Sequence, residues 1–159
     1  MNARMFDTLL GSSFSGVAHR CAIRYERQML HALIIFLGGG LGATGRHFVG
    51  QGALRLLGPG FPYGTLLVNV AGSLLMGLFI GWLVRKGADG GEMGSQELRL
   101  FFATGLLGGF TTFSAYSLDI ANLWERGAAG LALIYALGTV VACVVAIFAG
   151  LYLARAVNL

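Results

Sequence analysis

The stretch LLGPGFPYGTLLVNVAGSLLMGLFIGWLV, Leu56 to Val84, runs for 29 residues without an Asp, Glu, Lys or Arg. Three more uncharged runs flank it, Gln28 to Gly45, Leu100 to Leu118 and Gly127 to Ala154, of 18, 19 and 28 residues. About 20 helical residues at roughly 1.5 Å each cross a hydrocarbon core of roughly 30 Å, so every run is long enough for one crossing. The whole chain of 159 residues is 56% hydrophobic and 11% charged, against roughly 25% charged in soluble domains. The charged residues are gathered between the runs, which excludes an ordinary water-soluble globule. Continuous apolar runs also exclude a β-barrel, whose strands alternate polar and apolar residues, and lipid leaves the helix as the only other way to pair every backbone amide. The expected fold class is all-α integral membrane, with four transmembrane helices over about 29–50, 62–84, 98–124 and 128–154.

Ahead of these spans, residues 1–28 read as an N-terminal tail, disordered or lying on the membrane surface, and residues 29–159 as the membrane domain. The tail carries Arg4, Arg20, Arg24 and Arg27, and Asp7 and serines break its apolar stretch, unlike a signal peptide. A working start at Met29 is a second expectation. With both termini on one side, that side's core residues include Arg85, Lys86, Arg99 and Arg155, while Arg55 and Arg126, with Arg46 near a helix end, face the other way. Four against three is close to a tie, so the core alone is free to insert either way up, and the arginines of the tail would break the tie. Two cysteines, Cys21 and Cys143, are too few for a disulfide framework or a zinc site. The net charge of +4 comes without a basic patch interleaved with aromatics, so nucleic acid is not an expected partner.

Glycines recur at four-residue spacing within the spans: Gly38 with Gly42, Gly77 with Gly81, Gly105 with Gly109. Helices in lipid associate through close packing, which such small faces permit. Gly40-Leu41-Gly42-Ala43-Thr44-Gly45 matches a dinucleotide fingerprint by letter, but it lacks the preceding strand and the later acidic residue that give the motif its chemistry. Thr65, Asn69 and Ser73 form a polar stripe on the second helix, serving either interhelical hydrogen bonds or a lining of donors for something hydrophilic. Asn69 is the sharper case, since its amide carries two N–H donors. In the third run Gly108, Gly109, Thr111 and Thr112 cluster weak helix formers at mid-span and predict a helix break, which at membrane depth implies an ion site or a buried interface. Just beyond it Phe113 and Tyr116 share a face beside Ser114 and Ser117. Asp119, near the far end, reads as a vestibule or capping group, with a proton carrier as the other reading.

Residues from Met29 onward resemble the Fluc (CrcB) family of fluoride channels. The resemblance rests on Gly38-Gly39-Gly40-Leu41-Gly42-Ala43-Thr44-Gly45-Arg46, Gly64-Thr65-Leu66-Leu67-Val68-Asn69 and Gly108-Gly109-Phe110-Thr111-Thr112-Phe113-Ser114, in that order and spacing. It implies an antiparallel, dual-topology homodimer in the bacterial inner membrane, with two fluoride pathways and a structural sodium ion at the centre. Backbone carbonyls of Gly108 and Thr111 would hold that Na+, a hard cation suited to oxygen ligands. The implied pathway residues are Thr65, Asn69, Phe113, Ser114, Tyr116, Tyr135 and Thr139, with Cys143 a weaker match. Tyr116 stands where the family has a second phenylalanine, keeping the positive ring edge that can meet fluoride and adding a hydroxyl donor. Arg46 is either the family's arginine at that helix end or a solvated one.

The implied function is passive fluoride export that relieves fluoride toxicity. The competing reading is a small proton-coupled multidrug-type exporter, which needs a membrane-embedded glutamate that no span contains. A membrane scaffold would leave the Asn69 stripe and the predicted break without a purpose. No nucleophile, base and orienting group fall together, so an enzyme is not expected.

Overall fold

The computed structural model describes residues 3–85 and 93–157, with side chains over 24–85 and 96–157. Lys86 and the side chains of Arg4, Arg20 and Cys21 lie outside the described residues. The order is α1 (Ala3–Leu57), α2 (Tyr63–Arg85), α3 (Met93–Leu98), a wide π-helical segment (Arg99–Leu107), α4 (Gly108–Phe110), α5 (Phe113–Glu125) and α6 (Ala129–Ala156). Among the described residues there is no strand. Among the described residues, three helices are long and apolar enough to cross a membrane: Arg24–Leu57, Tyr63–Arg85 and Ala129–Ala156. The third uncharged run exists as helical pieces on either side of Thr111 and Thr112, both extended, with φ −79° and ψ 158° at the first and φ −155° and ψ 120° at the second.

Two compact units make up the chain, Met1–Leu33 and Ile34–Leu159. The first is helical from Ala3. No proline precedes Pro59, and a helix former is available at most positions, so nothing in this segment stops a helix. Tyr25, Met29, Leu30 and Leu33 are exposed on it.

In the second unit, close backbone approach determines the arrangement. Hydrocarbon offers no hydrophobic drive between helices, so they gain by packing surfaces that can come near. On α2, a Cβ at Gly77 would meet the Ile147 carbonyl oxygen, and one at Gly150 would meet the Leu74 oxygen and lie 2.8 Å from the Leu78 nitrogen. One turn on, a Cβ at Gly81 would lie 2.6 Å from that of Ala154. The contacts advance together along both chains, so α2 and α6 run side by side in the same direction. The same relation holds between α1 and the π-helical segment with α4. Gly38 sits against Phe101, Gly42 against Leu106 and Phe110, and a Cβ on Gly109 would lie 2.5 Å from the Gly39 carbonyl oxygen. All three glycine pairs expected from the sequence therefore lie at real helix contacts.

The connections are built for tight turns. Gly58, at φ 78°, ends α1 with its N–H donating to the Leu54 oxygen at 3.1 Å, and Pro59 and Pro62 keep the chain from continuing as helix. Gly64 then returns against Gly50, so α2 starts beside the end of α1. Gly127, also at φ 78°, closes α5. At the far end Arg85 donates to the Ala154 and Arg155 oxygens at 3.2 and 3.0 Å, supplying α6's last carbonyls with a cation. The outward row Ile134, Leu137, Val141, Val145, Phe148 and Tyr152 on α6 is exposed, an apolar stripe of helical period suited to lipid or protein.

Gly77→Val should collapse the α2–α6 contact, because its Cβ meets backbone that cannot swing aside. Thermal unfolding in detergent should show that variant far less stable than the parent, whereas Gly138→Ala, whose Cβ meets nothing within 4 Å, should unfold like it. Equal stability of Gly77→Val would mean the helices do not pack as closely as described.

Candidate functional site

A helix that breaks inside a membrane exposes backbone donors and acceptors, each costing several kcal/mol if left unpaired in hydrocarbon. At Thr111 and Thr112 each such group has a partner. The Thr111 N–H donates to the Leu107 oxygen at 3.0 Å, and the Thr111 hydroxyl donates to the same oxygen at 3.0 Å. The Thr112 N–H donates to Asn69 Oδ1 at 2.8 Å, and Asn69 Nδ2 donates back to the Thr112 oxygen at 3.1 Å. One side-chain amide thus substitutes for a neighbouring peptide. Thr112 Oγ1 accepts from the Ala115 N–H at 3.2 Å, capping α5, and lies 3.2 Å from Ser114 Oγ. Arg46 Nη1 reaches from α1 to donate to the Thr111 oxygen at 3.3 Å. The Thr112 N–H is committed to Asn69, so the Gly108 carbonyl loses the partner a continuous helix would supply, and Gly108 is exposed.

Around this clamp lies a cavity of about 420 Å³ between α2, the break and α6. Asn69, Ser73 and Met76 line it from α2, Phe113 and Tyr116 from α5, Thr139 and Cys143 from α6. Asn69 is 9% exposed and Thr139 4%, and the buried Thr139 hydroxyl has no hydrogen-bond partner among the described residues. Phe113, by contrast, is 77% exposed. A second cavity, of about 330 Å³, opens at the α1–α2 turn and is lined by Phe61, Tyr63, Thr65, Asp119, Asn122 and Arg126 among others.

A row of rings joins the two. Phe113 and Tyr116 have centroids 5.4 Å apart, Tyr116 and Tyr135 5.4 Å, and Tyr135 meets Phe61 edge-on at 5.4 Å and 89°. The ring hydroxyls are already engaged: Tyr116 donates to the Ala136 oxygen at 2.7 Å, and Tyr135 to Asp119 Oδ2 at 3.3 Å. The extra hydroxyl at Tyr116 therefore ties α5 to α6 and adds no free donor to the lining, a correction to the sequence expectation. Its direction follows from burial, because a buried phenol takes the nearest carbonyl.

Of the residues named from the sequence, Asn69, Phe113, Tyr116 and Thr139 come together on the larger cavity. Thr65 lies one turn before Asn69 but lines the smaller one, so the polar stripe is shared between two chambers. Tyr135 sits between them in ring contact with both sets. Ser114 is exposed and pairs with Thr112. Gly108 and Thr111 both lie at the break. Asp119 is the acceptor for Tyr135, and Arg46 is bound to the break where a solvated helix end was the other reading. Phe61 and Met76 also line these cavities without a signal in the sequence. Phe61 stands in a turn, where an aromatic gives no periodic signal, and Met76 lies outside the stripe's four-residue spacing.

Residues 33–151 match the family described as CrcB-like protein, camphor resistance (CrcB). The chain belongs to this family. A fluoride-specific ion channel FluC of Mesorhizobium japonicum is 54% identical over 127 residues, 80% of this chain and 98% of the relative. One from Rhodopseudomonas palustris is 54% identical over 126 residues, 79% and 98%, and one from Agrobacterium fabrum 46% over 127 residues, 80% and 98%. With its long apolar helices, this CrcB-family chain is a multi-pass membrane protein.

Asn69→Leu leaves both Thr112 backbone groups unpaired, at about 1–3 kcal/mol each. Thermal unfolding in detergent should register a large loss, while Tyr116→Phe, giving up one hydroxyl bond, should lose only about 1 kcal/mol. Wild-type stability in Asn69→Leu would show that the amide does not hold the break.

Proposed function

We propose that this protein is a fluoride-selective channel that lets fluoride leave the cell passively across the inner membrane. The observation that carries the reading is the break itself: a membrane-buried amide, an unpartnered hydroxyl and ring edges gathered on one cavity. A small, strongly hydrated anion needs donors to replace its water, yet fixed cations on the path would hold it too firmly to let it pass. Asn69 keeps one amide hydrogen beyond the one given to Thr112, Thr139 offers its hydroxyl, and Phe113 and Tyr116 offer positive ring edges. Relatives named as fluoride-specific channels cover most of the chain at about half identity, and they are named as channels rather than as enzymes. Among the described residues no charged one lines the larger cavity, which gives the proton-coupled exporter no carboxylate there to work with.

The working unit in this reading is a homodimer of antiparallel chains. A single chain leaves Phe113, Ser114 and Gly108 exposed at the break, and polar backbone at membrane depth must face protein or water, not lipid. A second copy supplies that cover. The near tie of loop charges favours insertion both ways up. At the centre of such a dimer, the Gly108 and Thr111 carbonyls of the two chains would hold Na+. The donors are oxygens without a carboxylate, and the Thr111 oxygen retains one lone pair beside Arg46, which fits a hard monovalent cation. Bound there, the ion would fix the two breaks against each other.

Fluoride efflux from liposomes containing the purified protein, with chloride run in parallel, tests the reading: fast fluoride release with little chloride is expected, and no release from folded protein would overturn it. Phe113→Ile should reduce the fluoride rate severely by removing a ring edge. An undiminished rate would assign that ring to packing.

A further inference from the structure

Arg46 reaches the break from α1 and donates Nη1 to the Thr111 oxygen at 3.3 Å. Its side chain is half-buried, and among the described residues no carboxylate pairs with it. A full positive charge therefore stands without a counter-charge on the very carbonyl that the dimer reading gives to the central cation. A guanidinium does not lose its proton in a protein, so its repulsion of any cation at the break is permanent. That repulsion scales with the charge of the ion: the work added for a monovalent cation is added twice over for a divalent one. Carbonyl oxygens alone do not make this distinction, since they are ligands for calcium too. Calcium sites bring in carboxylates to offset the charge of the ion, whereas the charged group bonded to this break has the ion's own sign.

We propose that Arg46 determines the specificity of the central cation site, admitting a monovalent ion and turning divalent ones away, a role that rests on the sodium reading above and deepens it. Arg46 is a positioning residue and ligates nothing itself. Its N–H occupies one lone pair of the Thr111 oxygen and leaves the other for the ion, and its charge sets how much cation charge the break tolerates.

The test uses the full chain in detergent and fluoride-free buffer, with equilibrium dialysis against radiolabelled sodium or calcium, and thermal unfolding followed as either chloride salt is added. Sodium should bind the parent and raise its unfolding temperature, and calcium should do so far less. Arg46→Gln and Arg46→Met should each bind sodium roughly tenfold more tightly and calcium roughly a hundredfold, the square of the sodium gain. Arg46→Lys keeps the charge and should keep the parent's preference for sodium, a rescue that a merely structural role for the side chain does not require. Either neutral variant that folds decides the question. Equal gains for the two ions, or an Arg46→Lys protein that takes calcium as the neutral variants do, would overturn the proposal while leaving the sodium site standing. A parent that binds calcium as tightly as sodium would overturn it without any variant. A parent that binds no sodium would overturn the sodium reading itself, and the role of Arg46 with it.

Discussion

The rest of the second unit depends on one buried amide. Asn69 sits on α2 and pairs both ways with the backbone of Thr112, 43 residues later in sequence. Without it, two peptide groups would face hydrocarbon unpaired, and the cost of that desolvation would push the third run toward a continuous helix. A continuous helix would erase the cavity, restore the Gly108 carbonyl to its helical partner, and turn Phe113 to another direction. The break survives because the clamp, the Thr112 cap on α5 and the Arg46 contact together pair the exposed groups at Thr111 and Thr112.

Glycine makes that clamp reachable. Asn69 has a short side chain, so α2 must lie close to the break. Gly72 faces the Thr111 methyl, where a Cβ would collide. Farther along, the Gly77–Gly150 crossing brings α6 in beside α2, placing Thr139 and Cys143 across the cavity from Asn69 and Met76. Close packing and the polar site are thus one arrangement: small residues let the backbones approach, and the approach lets a single amide serve two helices.

Much of this was legible in the sequence. Lipid tolerates few ways of pairing a backbone, so the uncharged runs alone specify membrane helices. Gly108, Gly109, Thr111 and Thr112 are poor helix formers in a row, and the break falls among them. The glycine pairs announced their contacts for the same steric reason. What stayed hidden depended on partners distant in sequence. That Asn69 carries a polar amide is plain from its letter, but that Thr112 consumes most of it depends on how α2 lies against the break. The Tyr116 hydroxyl looked like a donor for the path, and only the position of Ala136 shows that it is engaged.

The central claim is that Asn69 both holds the break and meets the anion, and Asn69→Asp separates the two roles. A carboxylate keeps the acceptor for the Thr112 N–H but loses the donor to the Thr112 oxygen, so the protein should fold with lower stability than the parent, and it places a negative charge on the cavity. The decisive measurement is fluoride efflux from liposomes containing that variant after its fold has been verified in detergent. A fall to near the leak of protein-free liposomes is predicted; a rate equal to the parent's would contradict the account.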